Sequence, residues 1–223
     1  MVVGQHGKNN IHNEGSQYMS NIDKIYNKDN SVKVFAKNYL EYVSSVLQRI
    51  SLDEIENFIE ILLNARKEGA SIYFIGNGGS AATASHFAND IAIGTRSWDK
   101  PFRVQSLCDN QAVITAIAND DGYERIFSQQ LEVLLKNGDV VIAISASGNS
   151  PNLLAAIEIA KKKNAKTVGL TAFDGGKLRQ IVDVAVHVPT EKSEYGPAED
   201  GHMILDHLVG SFLMRYVKEQ SYE

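Results

Sequence analysis

The chain has 223 residues, 43% of them hydrophobic and 22% charged, enough to bury one substantial core and too few to call for a second domain. A net charge of -5 argues against a broad basic surface for nucleic acid, and a single cysteine, Cys108, excludes an internal disulfide and a cysteine-rich zinc site. Polar Lys8, Asn9, Asn10, His12 and Asn13 stand where a signal peptide needs an apolar stretch, and no apolar run could span a bilayer, so the expectation is a cytoplasmic protein without nucleic-acid or membrane partners.

Residues 1 to about 30 are rich in Asn, Gly, Ser and Lys. They bury too little apolar surface to offset ordering entropy and read as a mobile polar tail, with a single domain over 31–223. Val32, Phe35, Tyr39, Val43, Val46 and Ile50 return at helical spacing, and Ser51 with Glu54 opens a second helix as a capping box. After Gly69, short β-forming runs occur at 71–75, 103–107, 140–144, 168–171 and 184–188. Helical patterns at about 80–93, 110–135, 151–163 and 177–181 lie between them, and a longer one covers about 199–217. Alternation of strand and helix predicts an α/β fold: a doubly wound, five-stranded parallel sheet flanked by helices, with helices before it and a long helix at the end.

Two loops carry phosphate chemistry. The first strand runs into Gly76, Asn77, Gly78, Gly79 and Ser80 and then into a helix. Free amides and the positive dipole end favour an anion at such a place, although a plain tight turn would also need glycine. The third strand ends in Ser145, Ala146, Ser147, Gly148, Asn149 and Ser150, with Pro151 in the first helical turn. One serine would serve as an N-cap, whereas three hydroxyls suit a phosphate. Neither loop holds Lys or Arg, so the cradle is neutral and fits a small monoester. Gly76, Gly78 and Ala81 also match a degenerate dinucleotide fingerprint, but Asp109 follows too late for the ribose and the serine loop would have no task.

His86 and Asp90 stand four apart on the helix after the first loop, and Glu199 and His207 eight apart on the last helix. Each pair shares a face, while His202 and Asp206 are rotated away. Two imidazoles and two carboxylates suit zinc or another borderline divalent ion, and a helical His–Asp pair is also a common solvated hydrogen-bonding pair. His6, His12 and His187 lack such company and read as tail or strand residues.

Taken in order, the segments GNGGSAATASHFAND, AIANDDGYERIF, GDVVIAISASGNSPN and LTAFDGGKL resemble the phosphoheptose isomerases of the sugar isomerase (SIS) family, over about residues 35–215. The resemblance implies a flavodoxin-like five-stranded sheet and a homotetramer with sites between subunits. It implies conversion of sedoheptulose 7-phosphate to D-glycero-D-manno-heptose 7-phosphate for lipopolysaccharide or capsule synthesis, and a zinc ion in some members. By position it makes Asn77, Gly78, Gly79, Ser80, Asp90, Asn119, Asp120, Ser145, Ala146, Ser147, Ser150 and Glu199 substrate contacts. It makes His86, Asp90, Glu199 and His207 metal ligands, and Asp90 and His207 the proton carriers. The family usually has Glu where Asp90 stands, Gln where Glu199 stands and Asp where Gly196 stands. Asp90 is one methylene shorter, and Glu199 adds negative charge that would strengthen a divalent site. The other reading of the same segments is a non-catalytic SIS protein that binds the bacterial replication initiator or senses a sugar phosphate. Such proteins carry Arg in the second loop, whereas Ser147 keeps the phosphate-binding type.

Overall fold

A computed structural model describes residues 19–220. Helices α2 (Val32–Leu47) and α3 (Leu52–Glu68) lie before the first strand, as the periodicity predicts. Ser51 caps α3 by accepting from the Glu54 amide at 3.3 Å, and Gly69 ends it at a φ of 68°. The reciprocal half of the capping box is missing, because the Glu54 carboxylate instead accepts from the His187 amide at 2.9 Å.

The five strands are β1 (Ser71–Gly76), β2 (Arg103–Ser106), β3 (Val140–Ser145), β4 (Lys166–Ala172) and β5 (Val184–Val188). All pair in parallel, in the order β2-β1-β3-β4-β5, which bears out the expected doubly wound sheet. Side chains alternate between two cores. Ile72, Phe74, Val140 and Ile142 point into a layer with Phe58 and Phe87, where Phe74 and Phe87 stack at 5.0 Å. Tyr73, Ile75, Val141 and Ala143 point into the opposite layer with Leu131 and Ile157. The strand order reverses between β1 and β3, so the loops that leave these two strands flank the crevice where such sheets bind ligands.

The helices of the crossovers are α4 (Gly79–Asn89), α5 (Gln111–Asp120), α6 (Ser128–Leu134), α7 (Pro151–Lys162) and α8 (Gly176–Ile181), and the chain closes with α9 (Tyr195–Gln220). Sequence spacing runs the segment from 110 to 135 as one helix, but the structure breaks it. Gly122 adopts a φ of 97°, which ends α5 and leads into a short 3-10 turn, Tyr123–Arg125, before α6. A second difference lies at the N-terminus. Within the expected polar tail, Asn21–Lys28 forms helix α1, capped reciprocally by Ser20 and Asp23. The buried Glu194 carboxylate fastens it, accepting from the Asn21 amide at 2.6 Å and from the Tyr42 hydroxyl. The rest of that tail, with His6 and His12, lies outside the described residues. No helix among the described residues is long and apolar enough to cross a membrane.

His202 joins α9 to the sheet. It is wholly buried, with Nε2 3.3 Å from the Thr171 carbonyl oxygen. Burial disfavours its charged form and lowers its pKa from 6.5 to about 4. The unfolded chain therefore binds more protons than the folded one between these values, and stability falls as pH drops through that window. We expect urea unfolding to show a loss of about 2 kcal/mol from this group between pH 7 and pH 5. His202→Leu should flatten that part of the pH slope, and an unchanged slope would count against it.

Candidate active site

The loop after β1 is drawn tight. A side chain at Gly76 would strike the Ser80 backbone, with a Cβ 2.6 Å from its carbonyl carbon. Asn77 is held by three hydrogen bonds: its amide exchanges bonds with Asn152 at 3.0 and 2.8 Å, and Tyr123 donates to its oxygen at 2.9 Å. This ties the loop to the start of α7 and to the turn after α5.

The serine loop is fixed by a second glycine loop. Leu178 donates its amide to the Gly148 carbonyl at 2.9 Å, and Lys177 donates to Asn149 Oδ1 at 3.0 Å. Ser145 accepts from the Gly148 amide at 3.1 Å. Ser150 stands at the N-cap of α7 without using its hydroxyl as a cap, and Pro151 takes the first turn as expected. Asn77, Ser80, Ser145, Ala146, Ser147 and Ser150 line one cavity of about 150 Å³, together with Tyr195 and Glu199 of α9. Uncharged hydroxyls and the open end of α7 thus converge where the topology places a ligand.

Gly78 and Gly79 adjoin this cavity without lining it. Gly79 has another use: a Cβ there would lie 2.5 Å from the Glu199 carboxyl carbon. The Glu199 carboxylate rests on the first turn of α4, at the positive end of its dipole. Asn119 and Asp120 are exposed at the C-terminal end of α5, 2.8 Å apart through Asn119 Nδ2, and do not line the cavity.

The second constellation lies farther along α4 and α9, which pack side by side in the same direction. Gly79 meets Glu199, His86 meets Asp206, and Asp90 meets Gly210, where a Cβ would stand 3.6 Å from Asp90 Cβ. After Asn89 the helix loosens into one π turn, Asp90–Gly94, which opens with Asp90. His86, Asp90, Asp206 and His207 each offer a ligand atom, all within 4.8 Å of one another. His86 Nδ1 stands 3.8 Å from Asp90 Oδ2 and 2.5 Å from Asp206 Oδ2, and the His86 and His207 rings meet edge to face at 5.2 Å. Asp90 and His207 share a separate cavity of about 310 Å³ with Gly94, Gly210, Ser211 and Met214.

Two expectations change here. Glu199 is outside the donor group and stands with the serine loop, because eight residues of α9 carry it to the far end of α4. Asp206, expected to rotate away, faces His86, because α4 packs between the directions that neighbouring α9 residues take. Asp206 is completely buried, and its Oδ1 has no hydrogen-bond partner among the described residues. Burial raises its pKa from 3.8 to about 6, and its hydrogen bond raises that of His86, so the pair holds a proton between them. Two imidazoles and two carboxylates, one of which has an unpaired buried oxygen, fit a borderline divalent ion such as zinc.

Gly196 has a local cause. A Cβ there would lie 3.1 Å from the Tyr39 hydroxyl, which donates to Asp200 Oδ2 at 2.5 Å, so Tyr39 fills the space where a longer residue would start. His187 lies in β5, where Nδ1 is 3.1 Å from the Thr171 hydroxyl, away from the donor group.

The chain is similar to known proteins in sequence and in fold. A family model described as a SIS domain matches residues 38–172, more than half of the chain. A phosphoheptose isomerase of Geobacter sulfurreducens is 36% identical over 167 residues, 75% of this chain and 87% of the relative. One of Trichlorobacter lovleyi is 38% identical over 155 residues, 70% of this chain and 78% of the relative. The solved structure of phosphoheptose isomerase from Neisseria gonorrhoeae superposes with a TM-score of 0.72 at 28% identity, covering 81% of this chain and 97% of that one. A phosphoheptose isomerase from Francisella tularensis shares the fold, with a TM-score of 0.75 at 21% identity over 83% of this chain and 99% of that one. The chain belongs to the SIS domain family, in the company of its phosphoheptose isomerases.

Proposed function

We propose that the protein is an aldose–ketose isomerase that converts sedoheptulose 7-phosphate to D-glycero-D-manno-heptose 7-phosphate. The observation that carries this reading is the separation of the two constellations. From Gly79 to His86 along α4, and from Glu199 to His207 along α9, the helical rise amounts to about 10–12 Å. An extended seven-carbon sugar has eight bonds between C1 and phosphorus, roughly 10 Å at about 1.2 Å of advance per bond. A triose phosphate would reach only about half as far. A heptose 7-phosphate can therefore keep its phosphate in the serine loop while C1 and C2 lie near His207, which shares a cavity with Asp90.

In this reading Ser145, Ser147, Ser150 and the amides at the start of α7 hold the phosphate. Asn77, Ser80 and Glu199 meet the sugar hydroxyls on the way. One of Asp90 and His207 removes the proton beside the carbonyl, and the other returns a proton to the adjacent carbon after an enediol. His86, Asp90 and His207 would hold a zinc-class ion, which when bound supplies positive charge where the sugar oxygens become negative.

The same reading carries a homotetramer and a product used for surface heptose. Ile204, Leu208 and Phe212 repeat every four residues on α9, and all are more than 40% exposed. Helix α5 buries no residue at all. A second copy of the chain would cover such faces and would draw Asn119 and Asp120 to a shared site.

The test is a coupled assay with sedoheptulose 7-phosphate and added zinc. Turnover that needs the phosphate supports the proposal, and no turnover refutes it. Within that site, Ser147→Ala should weaken binding of a phosphorylated sugar about 10- to 100-fold, the worth of a hydrogen bond to a charged group. Calorimetry reads this directly, and unchanged affinity with an intact fold would remove Ser147 from the cradle.

A further inference from the structure

Asp206 is the member of the donor group that neither spacing nor resemblance brings to the site. It precedes His207 on α9, so the two side chains leave the helix about 100° apart. His207 is exposed and shares a cavity with Asp90, whereas Asp206 is wholly buried and lies against His86 Nδ1. The His86 side chain, 43% exposed, stands between this buried carboxylate and solvent.

The titratable groups that act on Asp206 are His86 from α4, Asp90 from the π turn and His207 beside it on α9. Among the described residues its ion-pair partner is His86, with Oδ2 at 2.5 Å, and its Oδ1 is unpaired. A buried carboxylate with one imidazole partner and a free oxygen is unfavourable unless more positive charge lies close by. Asp90 is too far from His86 Nδ1 for a hydrogen bond, at 3.8 Å, and its Oδ1 accepts from Asn89 at 3.0 Å. Asp206 therefore decides which nitrogen of His86 carries the proton.

We infer that Asp206 is the positioning residue of a divalent-cation centre: it accepts the Nδ1 proton of His86 and leaves the Nε2 lone pair for the ion. A ligating histidine generally donates its other ring N–H to a carboxylate, which fixes the tautomer and the ring and raises the basicity of the ligating nitrogen. The inference rests on the proposed metal centre, but it adds a residue that spacing set aside.

The experiment uses the full chain, zinc with a competing chelating dye, and nitrogen-15 NMR of the imidazoles. In the wild type His86 should carry its proton on Nδ1; an Nε2–H tautomer overturns the proposal without need of any variant. Asp206→Asn should lower zinc affinity about 10- to 100-fold, the usual effect of losing such a partner, and should shift the His86 tautomer. Unchanged affinity and tautomer in a folded variant would overturn it. A loss far beyond 100-fold with the tautomer unchanged would also overturn it, in favour of Asp206 as a direct ligand. Failure of the wild type to bind zinc would remove the centre itself. Absence of isomerase turnover strikes instead at the proposed reaction, because none of these readouts uses substrate.

Discussion

His207→Asn is expected to lower kcat by about 10²- to 10⁴-fold, the range that a single acid–base group contributes. The substitution keeps a side chain of similar reach but cannot carry a proton. His207 is exposed at the mouth of the cavity that it shares with Asp90, so the fold should survive with little change in melting temperature. In the proposed binding mode the phosphate is held about 10 Å away, which predicts a KM close to that of the wild type. That split between kcat and KM is the signature of a group that acts in the transition state, as proton carrier or as holder of the ion, rather than in substrate binding. A proportional rise in KM with kcat intact would assign His207 to binding instead.

Gly148→Ala should damage the protein in a different way. Gly148 adopts a φ of 63°, and a Cβ there would lie 2.6 Å from the Gly175 carbonyl carbon and 3.1 Å from the Gly176 nitrogen. Both neighbours are backbone, so neither can swing aside. Left-handed strain costs about 1–2 kcal/mol and overpacking about 1–3 kcal/mol more. For a domain of this size the sum corresponds to a melting temperature lower by roughly 10 °C. The serine loop and the glycine loop that follows β4 would separate, and phosphate affinity should be lost with them. Thermal melts and calorimetry check the two effects together, and a variant with wild-type melting and phosphate binding would contradict the loop geometry.

The sheet was legible because its central strands β1, β3 and β4 are buried on both faces and therefore read as short continuous apolar runs. The serine and glycine loops were legible because they sit at strand-to-helix junctions, where the fold class itself puts ligands. The break at Gly122 was not, because the apolar pattern continues through it and a glycine inside a helical pattern is often tolerated. Helix α1 was hidden for the opposite reason: its few apolar residues predict nothing, and one of its anchors is Glu194, 173 positions away in the chain.

Asp206 shows the limit for the site. Helical periodicity says which residues of α9 share a face, but not which face α4 covers. His86 lies 120 positions earlier in the chain, and nothing in the local pattern around Asp206 points to it. A weak signal was available in Gly79 and Gly210, which let the two helices approach closely at Glu199 and at Asp90. Glu199 stands apart from the donor group for a related reason, since sharing a face with His207 leaves about 12 Å of helix between them.

The central claim is that one sugar lies across both constellations, with its phosphate in the serine loop and its reacting carbons beside Asp90 and His207. The most direct measurement is NMR of sedoheptulose 7-phosphate incubated with the protein in deuterium oxide. The account predicts solvent deuterium on the carbons beside the carbonyl as the aldose appears, with none incorporated into unphosphorylated sedoheptulose. Equal exchange in both sugars, or none in either, would contradict it.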